Sequence, residues 1–229
     1  LSKLSPKLVK LTKPIVADHM KRCLEDKKLK YSEIGTTREK CLKDAVDCFV
    51  NVQTITKDLE KVILFLKTNK DDIYKLYPSL TTEDYYNYHL ENYIIRINTI
   101  PDALAKLGNV ICDLKMRNKN CTAALFLRNK SVKKKKRIKN AMSQLLTRIG
   151  AIRKLRNTKV HGKNIDIDYF KSVTCWDFFD QLGITKPDPL IEEYIQEQKN
   201  KVIESLQNEI NEIIKLTVDF LDSLEPYLK

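Results

Sequence analysis

The segment from Leu190 to Leu224 has the sequence LIEEYIQEQKNKVIESLQNEINEIIKLTVDFLDSL. Its apolar side chains recur at spacings of three and four residues, and polar or charged residues fill most of the positions between them. This period places the apolar side chains on one face of an α-helix and the charged ones on the other. The segment therefore predicts one long amphipathic helix, whose apolar face must be buried against other helices.

The same spacing extends over most of the chain. Only five glycines and seven prolines occur in 229 residues, and no strand pattern is found, so the sequence predicts an all-α fold. A helix is expected from about residue 82, and Pro101 should kink or end it because proline removes a backbone donor. The other predicted helices cover residues 14–28, 37–67 and 132–161. Residues 116–131 are expected to form a polar connection or a short helix, and residues 163–189 an irregular connection.

The composition is that of a folded, cytosolic protein. Hydrophobic residues make up 42% of the chain, which is enough to bury a sizeable core. The first residues resemble neither a signal peptide nor a transit peptide, and the apolar runs are far shorter than the roughly 20 residues of a membrane-spanning helix. The six cysteines include no C-x-x-C pair, so they are predicted to be reduced thiols. Cys41 and Cys48 lie seven residues apart in a helical pattern and are expected to be buried as small apolar residues.

Positive charge is concentrated in one part of the chain. The formal net charge is +12, and residues 114–165 contain 17 Lys and Arg residues without one Asp or Glu. This distribution predicts a strongly positive surface that binds RNA or another polyanion. A membrane surface and a solvated face without a partner remain alternatives, and a targeting signal remains one for the tract 133–137. The side chains expected to contact RNA are Lys133, Lys134, Lys135, Lys136, Arg137, Lys139, Arg153 and Lys163.

The helix predicted at 132–161 contains an arginine where its pattern calls for an aliphatic residue. At roughly 100° per residue, six side chains fall within about 40° of one line and form the expected buried stripe. They are Ile138, Met142, Leu145, Ile149, Ile152 and Val160. Arg156 falls at the centre of this stripe, where a charge is costly unless it is paired or lines a solvent-accessible site. A carboxylate on a neighbouring helix could pair with it, or Arg156 could line a functional cleft.

His161 follows Arg156 by five residues, directly before Gly162, which is a natural helix terminator. The dipole at the C-terminal end of a helix favours a cationic imidazolium. The resulting sequence RNTKVHG, residues 156–162, resembles the R-x4-6-H motif of HEPN domains. This resemblance implies an up-and-down helical bundle with a long C-terminal helix. It also implies one HEPN-like domain over residues 1–229, in which residues 1–38 form an N-terminal extension.

The resemblance further implies a homodimer in which two motifs line one cleft, and metal-independent cleavage of RNA. In such a reaction His161 acts as general acid or base, and Arg156 stabilises the charge that builds on the phosphoryl oxygens. Asn157 would orient the histidine or bond to the phosphate. The expected products carry a 2′,3′-cyclic phosphate and a free 5′-hydroxyl, and no cofactor or metal is needed.

The resemblance is also compatible with a toxin or phage-defence effector that has an antitoxin or other regulatory partner. One HEPN branch has a tyrosine two residues after the histidine, where this chain has Lys163, so modification of such a tyrosine is not expected. A non-catalytic HEPN module that binds RNA or protein is the alternative function.

Other candidate sites are less distinctive. Tyr85, Tyr86, Tyr88 and Tyr93 could stack on RNA bases, although tyrosines spread around a helix are more often core and rim residues. His89 with its neighbouring carboxylates does not form a convincing metal-ligand set. No glycine-rich loop of the dinucleotide-binding or P-loop type is present.

Overall fold

The computed structural model describes residues 4–25, 36–68, 82–160 and 189–228. Within these ranges every regular element is helical and no strand occurs, which confirms the all-α fold and the long C-terminal helix. The helices are α1 (Leu4–Glu25), α2 (Thr37–Lys67), α3 (Thr82–Ile111), α4 (Ala123–Arg128), α5 (Lys130–Lys134), α6 (Lys136–Val160) and α7 (Pro189–Leu224). Short 3-10 helices span Asn118–Asn120 and Glu225–Tyr227.

The chain divides into two compact units. The first unit comprises residues 1–56, 99–148 and 214–229, and the second comprises residues 57–98 and 149–213. Helices α2, α3, α6 and α7 contribute residues to both. The single domain expected over residues 1–229 stays a prediction.

The boundaries of α2 agree with the prediction, and the helix start has a clear local cause. The backbone N–H of Thr36 donates to Glu39 Oε2 at 2.8 Å, and the N–H of Glu39 donates to Thr36 Oγ1 at 3.2 Å. This reciprocal pair is a capping box, which satisfies two backbone donors that a helix start would otherwise leave unpaired. Helix α7 begins at Pro189, one residue before the predicted start.

The helix start predicted at Pro14 was wrong, and of the two alternatives predicted at Pro101, a kink or an end of the helix, the end is excluded. Helix α1 begins at Leu4 instead of Pro14, because burial of Leu4 and Leu8 stabilises the turns that precede the proline. Helix α3 does not end at Pro101 and continues to Ile111. Ile100 and Leu104, on either side of this proline, are fully buried, so packing holds both halves of the helix in place.

The helix predicted over residues 132–161 is broken at Lys135, whose φ of −95° and ψ of 75° are not helical. Val132 and Ile138 are both fully buried. Six residues apart, they would point about 120° away from each other on one continuous helix. The break lets both side chains enter the core, so the tract 133–137 is divided between the end of α5, Lys135 and the start of α6.

The connection after α3 is held by side chains of that helix. Asn109 exchanges two hydrogen bonds of 3.0 Å with the backbone of Met116, one through its amide nitrogen and one through its amide oxygen. Asp102 Oδ1 accepts a hydrogen bond of 2.8 Å from the N–H of Ala123, the first residue of α4. These contacts fix the backbone at the start of residues 114–165, which contain many basic residues and no acidic ones.

In the core of the first unit, Gly108 lies close to two buried aromatic rings. The buried rings of Phe126 and Phe220 meet edge to face, with their centroids 6.1 Å apart. A Cβ atom at Gly108 would lie 2.7 Å from Phe126 Cζ and 3.4 Å from Phe220 Cζ, so this close approach requires glycine. Gly150 in α6 is exposed, and a Cβ there would meet nothing within 4 Å.

We expect Gly108→Ala to lower the free energy of unfolding by about 1–3 kcal/mol, because the added methyl group overpacks a filled core. Gly150→Ala is the matched control and should raise the free energy of unfolding by up to about 1 kcal/mol, because alanine favours the helix. Urea unfolding followed by circular dichroism measures both. Equal stability of the two variants would contradict the packing around Gly108.

Candidate catalytic motif and nucleic-acid interface

The structure confirms the buried stripe of α6 over the residues whose side chains it describes. Ile138, Met142, Leu145, Ile149 and Ile152 are all at most 4% exposed. The helical backbone continues to Val160, so it passes through Arg156 and Asn157. Arg156 follows Ile152 by four residues, which places its backbone in line with the stripe.

The side chains of Arg153, Arg156 and Asn157 lie outside the described part of the structure, as do residues His161 and Lys163. Their catalytic and RNA-binding roles stay predictions.

The predicted RNA-binding side chains at the start of α6 and before it are well placed to meet an anion. Lys133, Lys134, Lys136, Arg137 and Lys139 are all exposed. None of them forms an ion pair with a carboxylate in the described ranges. Their charges are therefore available to phosphates.

Lys135 differs from its neighbours in the tract. It is only partly exposed, and its ammonium lies 3.7 Å from the centroid of the Tyr227 ring. This distance is typical of a cation–π contact. Lys135 thus has an aromatic partner within the first unit, whereas its four neighbours in the tract have no ion pair or ring partner among the described residues.

Five other cations among residues 114–165 were not singled out in the sequence but are also exposed in the first unit. They are Lys115, Arg117, Lys119, Arg128 and Lys130. Lys115 lies 3.8 Å from Asp113, but both side chains are about 80% exposed, so this pair is weak. The signal for these residues was the absence of any acid between positions 114 and 165, which marks a segment without marking single residues. We use the name basic surface for these five residues together with Lys133, Lys134, Lys136, Arg137 and Lys139.

The described cysteines are poor nucleophiles. Burial raises the pKa of the Cys112 thiol to about 11, although Lys135 acts in the opposite direction. Burial also raises the pKa of Cys48 and Cys121, and burial together with Asp113 raises the pKa of Cys41. The expectation that Cys41 is buried was wrong, because this side chain is exposed and Cys48 is partly exposed.

Most of the tyrosines on α3 belong to the core. Tyr85, Tyr86 and Tyr93 are buried, whereas Tyr88 is 63% exposed. Tyr85 donates a hydrogen bond of 2.8 Å to the carbonyl oxygen of Phe65, and Tyr93 donates one to a carboxylate oxygen of Glu209. The buried tyrosines therefore cannot stack on RNA.

His89 lies inside an aromatic cluster of the second unit. Its ring stacks on Phe65 with a centroid distance of 4.9 Å and meets Tyr85 and Tyr88 edge to face. Burial lowers the pKa of His89, so the imidazole is neutral at neutral pH. The described ranges contain no group of three or more His, Cys, Asp or Glu side chains that could hold a metal ion. Nor does any helix in these ranges combine the length and apolar character needed to cross a membrane.

Comparison with known protein families gives one match. A family model described as HEPN_Cthe2314-like HEPN matches residues 52–225, which is most of the chain. The chain belongs to this HEPN family. The matched region contains α3 to α7 and the RNTKVHG sequence, and it begins within α2. No curated protein and no solved structure matches the chain.

We expect RNA to bind this HEPN protein mainly through the phosphate backbone. The triple variant Lys133→Ala, Lys134→Ala and Lys136→Ala should weaken binding and make its salt dependence shallower, by up to about 2 in the log-log slope, because each phosphate contact contributes about −0.7. Fluorescence anisotropy with a labelled single strand, at several salt concentrations and in a His161→Ala background, measures this slope.

The matched control removes three exposed lysines of the same unit that lie outside residues 114–165. They are Lys10, Lys13 and Lys40. It changes the net charge by the same amount and should leave the slope close to that of the parent protein. Equal slopes for the two triple variants would show that RNA binding depends only on the net charge of the protein, and not on the position of these lysines.

Proposed function

We propose that this HEPN protein is an endoribonuclease that cleaves RNA without a metal ion. The observation that carries the proposal is the position of Arg156 on α6. The backbone places it in line with five buried aliphatic residues, five positions before His161. An arginine held in this line is costly in a plain core, so a solvent-accessible anionic site is the favoured reason for it.

The proposed reaction is an internal transesterification. The ribose 2′-oxygen attacks the adjacent phosphorus, and its proton passes to a basic imidazole of His161. The bond from phosphorus to the 5′-oxygen breaks, and the leaving oxygen takes a proton from an acidic group. Arg156 stabilises the negative charge of the phosphoryl oxygens in the transition state, and Asn157 orients the histidine or the phosphate.

The reaction needs two groups in different protonation states. One is a base that takes the proton from the attacking oxygen, and the other is an acid that gives a proton to the leaving oxygen. A homodimer with two motifs in one cleft would provide two copies of His161, so one could act as base while the other acts as acid. Exposed apolar side chains on the second unit, which contains the backbone of Arg156, support such an interface. They include Leu190 and Tyr194, one turn apart on α7, which are 73% and 56% exposed.

The distribution of charge supports single-stranded RNA as the proposed substrate. The basic surface of the first unit would hold the phosphates of a single strand while carrying no sequence information of its own. A toxin or defence effector under the control of a regulatory protein is the biological setting that we propose, by analogy with other members of the family.

We predict that the purified protein cleaves single-stranded RNA in excess chelator and leaves 2′,3′-cyclic phosphate ends, which mass spectrometry of the products identifies. His161→Ala and Arg156→Ala should each reduce the rate at least about a hundredfold, because each removes a group that acts in the transition state. Circular dichroism should show an unchanged helical content.

Lys154→Ala is the matched control, since it removes one positive charge from the same helix two residues before Arg156. It should keep most of the activity. Cleavage that depends on added divalent metal, or equal rates for the parent protein and both motif variants, would contradict the mechanism. Tight RNA binding without any cleavage would support the alternative of a non-catalytic HEPN module.

We also expect a dimer of about twice the chain mass of 26.7 kDa at micromolar concentration. The double variant Leu190→Glu and Tyr194→Glu should shift the protein to monomer and reduce cleavage with it, because charges are costly in an apolar interface. Val9→Glu, at an exposed apolar position on α1, is the control and should remain dimeric. Analytical ultracentrifugation gives the masses, and a fully active monomeric parent protein would refute this arrangement.

A further inference from the structure

The first unit contains a cavity that the proposed catalytic reaction does not use. Its volume is about 460 Å³, which lies within the range of about 300–1,000 Å³ for sites that bind small organic groups. Leu42 of α2, Val110 of α3 and Leu228 after α7 contribute apolar walls. Such walls suit a flat, weakly polar group better than a bare phosphate.

Polar residues are also part of the lining of this cavity. Arg38 is exposed and has no ion pair with the carboxylates of the described ranges. Asp113 provides a carboxylate on the same lining, and its only described ion pair is the exposed contact with Lys115. The planar guanidinium group of an arginine can stack on a base. A carboxylate can accept hydrogen bonds from the amino group of a base.

One contact joins the cavity to the tract 133–137. Tyr227 is one of the residues that line the cavity, and the ammonium of Lys135 lies 3.7 Å from the centroid of the Tyr227 ring. The residues on either side, Lys134 and Lys136, are exposed. A strand whose phosphates contact these lysines therefore passes next to an apolar opening with an aromatic wall.

We propose that this cavity takes up one unstacked base of a single-stranded RNA whose phosphates contact the basic surface. The proposal deepens the proposed function and rests on its RNA substrate, although it does not depend on cleavage. Single strands are commonly held by cations along the backbone together with aromatic or guanidinium planes against the bases. The basic surface supplies the first part of this pattern, and the cavity supplies the second.

The test compares a short single-stranded RNA with a strand of the same length and charge that lacks its bases. Binding is measured in the His161→Ala background, so that the strand is not cut. We expect the full-length protein to bind the base-free strand about tenfold or more weakly, because stacking of one base contributes enough free energy for such a change. The salt dependence should be the same for both strands, because their phosphates are the same.

A pair of variants locates the effect. Cys41 and Ala45 lie one turn apart on α2 and both line the cavity, so Cys41→Leu with Ala45→Leu should narrow it. This double variant should bind the two strands with affinities within about threefold of each other. The control is Val50→Leu with Thr54→Leu, at exposed positions one turn apart on the same helix, and it should keep the parent preference. Cys41→Leu alone, at an exposed position, gives an intermediate result if the double variant is unstable.

The outcomes separate this inference from the proposed function. Equal affinity of the parent protein for both strands overturns the base site, whether or not the protein cleaves RNA. The same holds if the narrowed cavity keeps the full preference for bases. A preference that the narrowed cavity loses supports the base site even if the chain never cleaves RNA, in which case only the catalytic proposal fails. Absence of any RNA binding overturns both.

Discussion

Burial of the aliphatic stripe along α6 determines where the other side chains of that helix can point. Five side chains from Ile138 to Ile152 are almost completely removed from water. At about 1.5–3 kcal/mol for each fully buried aliphatic side chain, this burial far outweighs an exposed ion pair of about 0–1 kcal/mol. The rotation of the helix is therefore fixed by its apolar residues, and its described cations, Lys136, Arg137, Lys139 and Arg148, take exposed positions outside the stripe.

This constraint has different consequences at the two ends of α6. Near its start, Arg137 and Lys139 flank Ile138 and are exposed, because residues next to a buried position point away from the core. Near its end, Arg156 occupies the line of the stripe itself. The first group gives a hydrated positive surface without energetic conflict, whereas an arginine at position 156 departs from the apolar pattern of the stripe. A departure of this kind is expected where a side chain is kept for function rather than for stability.

The sequence predicted those features that depend on local periodicity. The limits of α2, the length of α7 and the stripe of α6 from Ile138 to Ile152 all follow from apolar residues at helical spacing, and the structure confirms them. The start at Pro14 and the possible end at Pro101 were misjudged because a local rule was applied where packing is stronger. Ile100 and Leu104 are buried on both sides of Pro101, and periodicity alone does not reveal how much packing they contribute.

Features that depend on contacts between distant residues were beyond the reach of the sequence. The exposure of Cys41 follows from a cavity formed with Val110 and Tyr227, which lie far away in the chain. The contact between Lys135 and Tyr227 joins residues from two separate helical regions. For the candidate site, the anomalous Arg156 was visible as a break in a pattern. The extension of the basic surface to Lys115 was visible only as an absence of acids.

The break at Lys135 also limits what the tract can contribute to recognition. A continuous helix would place the four exposed cations of the tract at regular angles, whereas the break assigns Lys133 and Lys134 to one helix and Lys136 and Arg137 to the next. Cations spread in this way can follow a flexible backbone, but phosphate contacts are the same for every sequence. In the proposed RNA complex, any preference for particular bases would therefore come from uncharged or planar groups next to the tract. The ammonium of Lys135 lies on the ring of Tyr227, and Tyr227 lines an apolar cavity. At this residue the basic tract is therefore next to uncharged and planar groups.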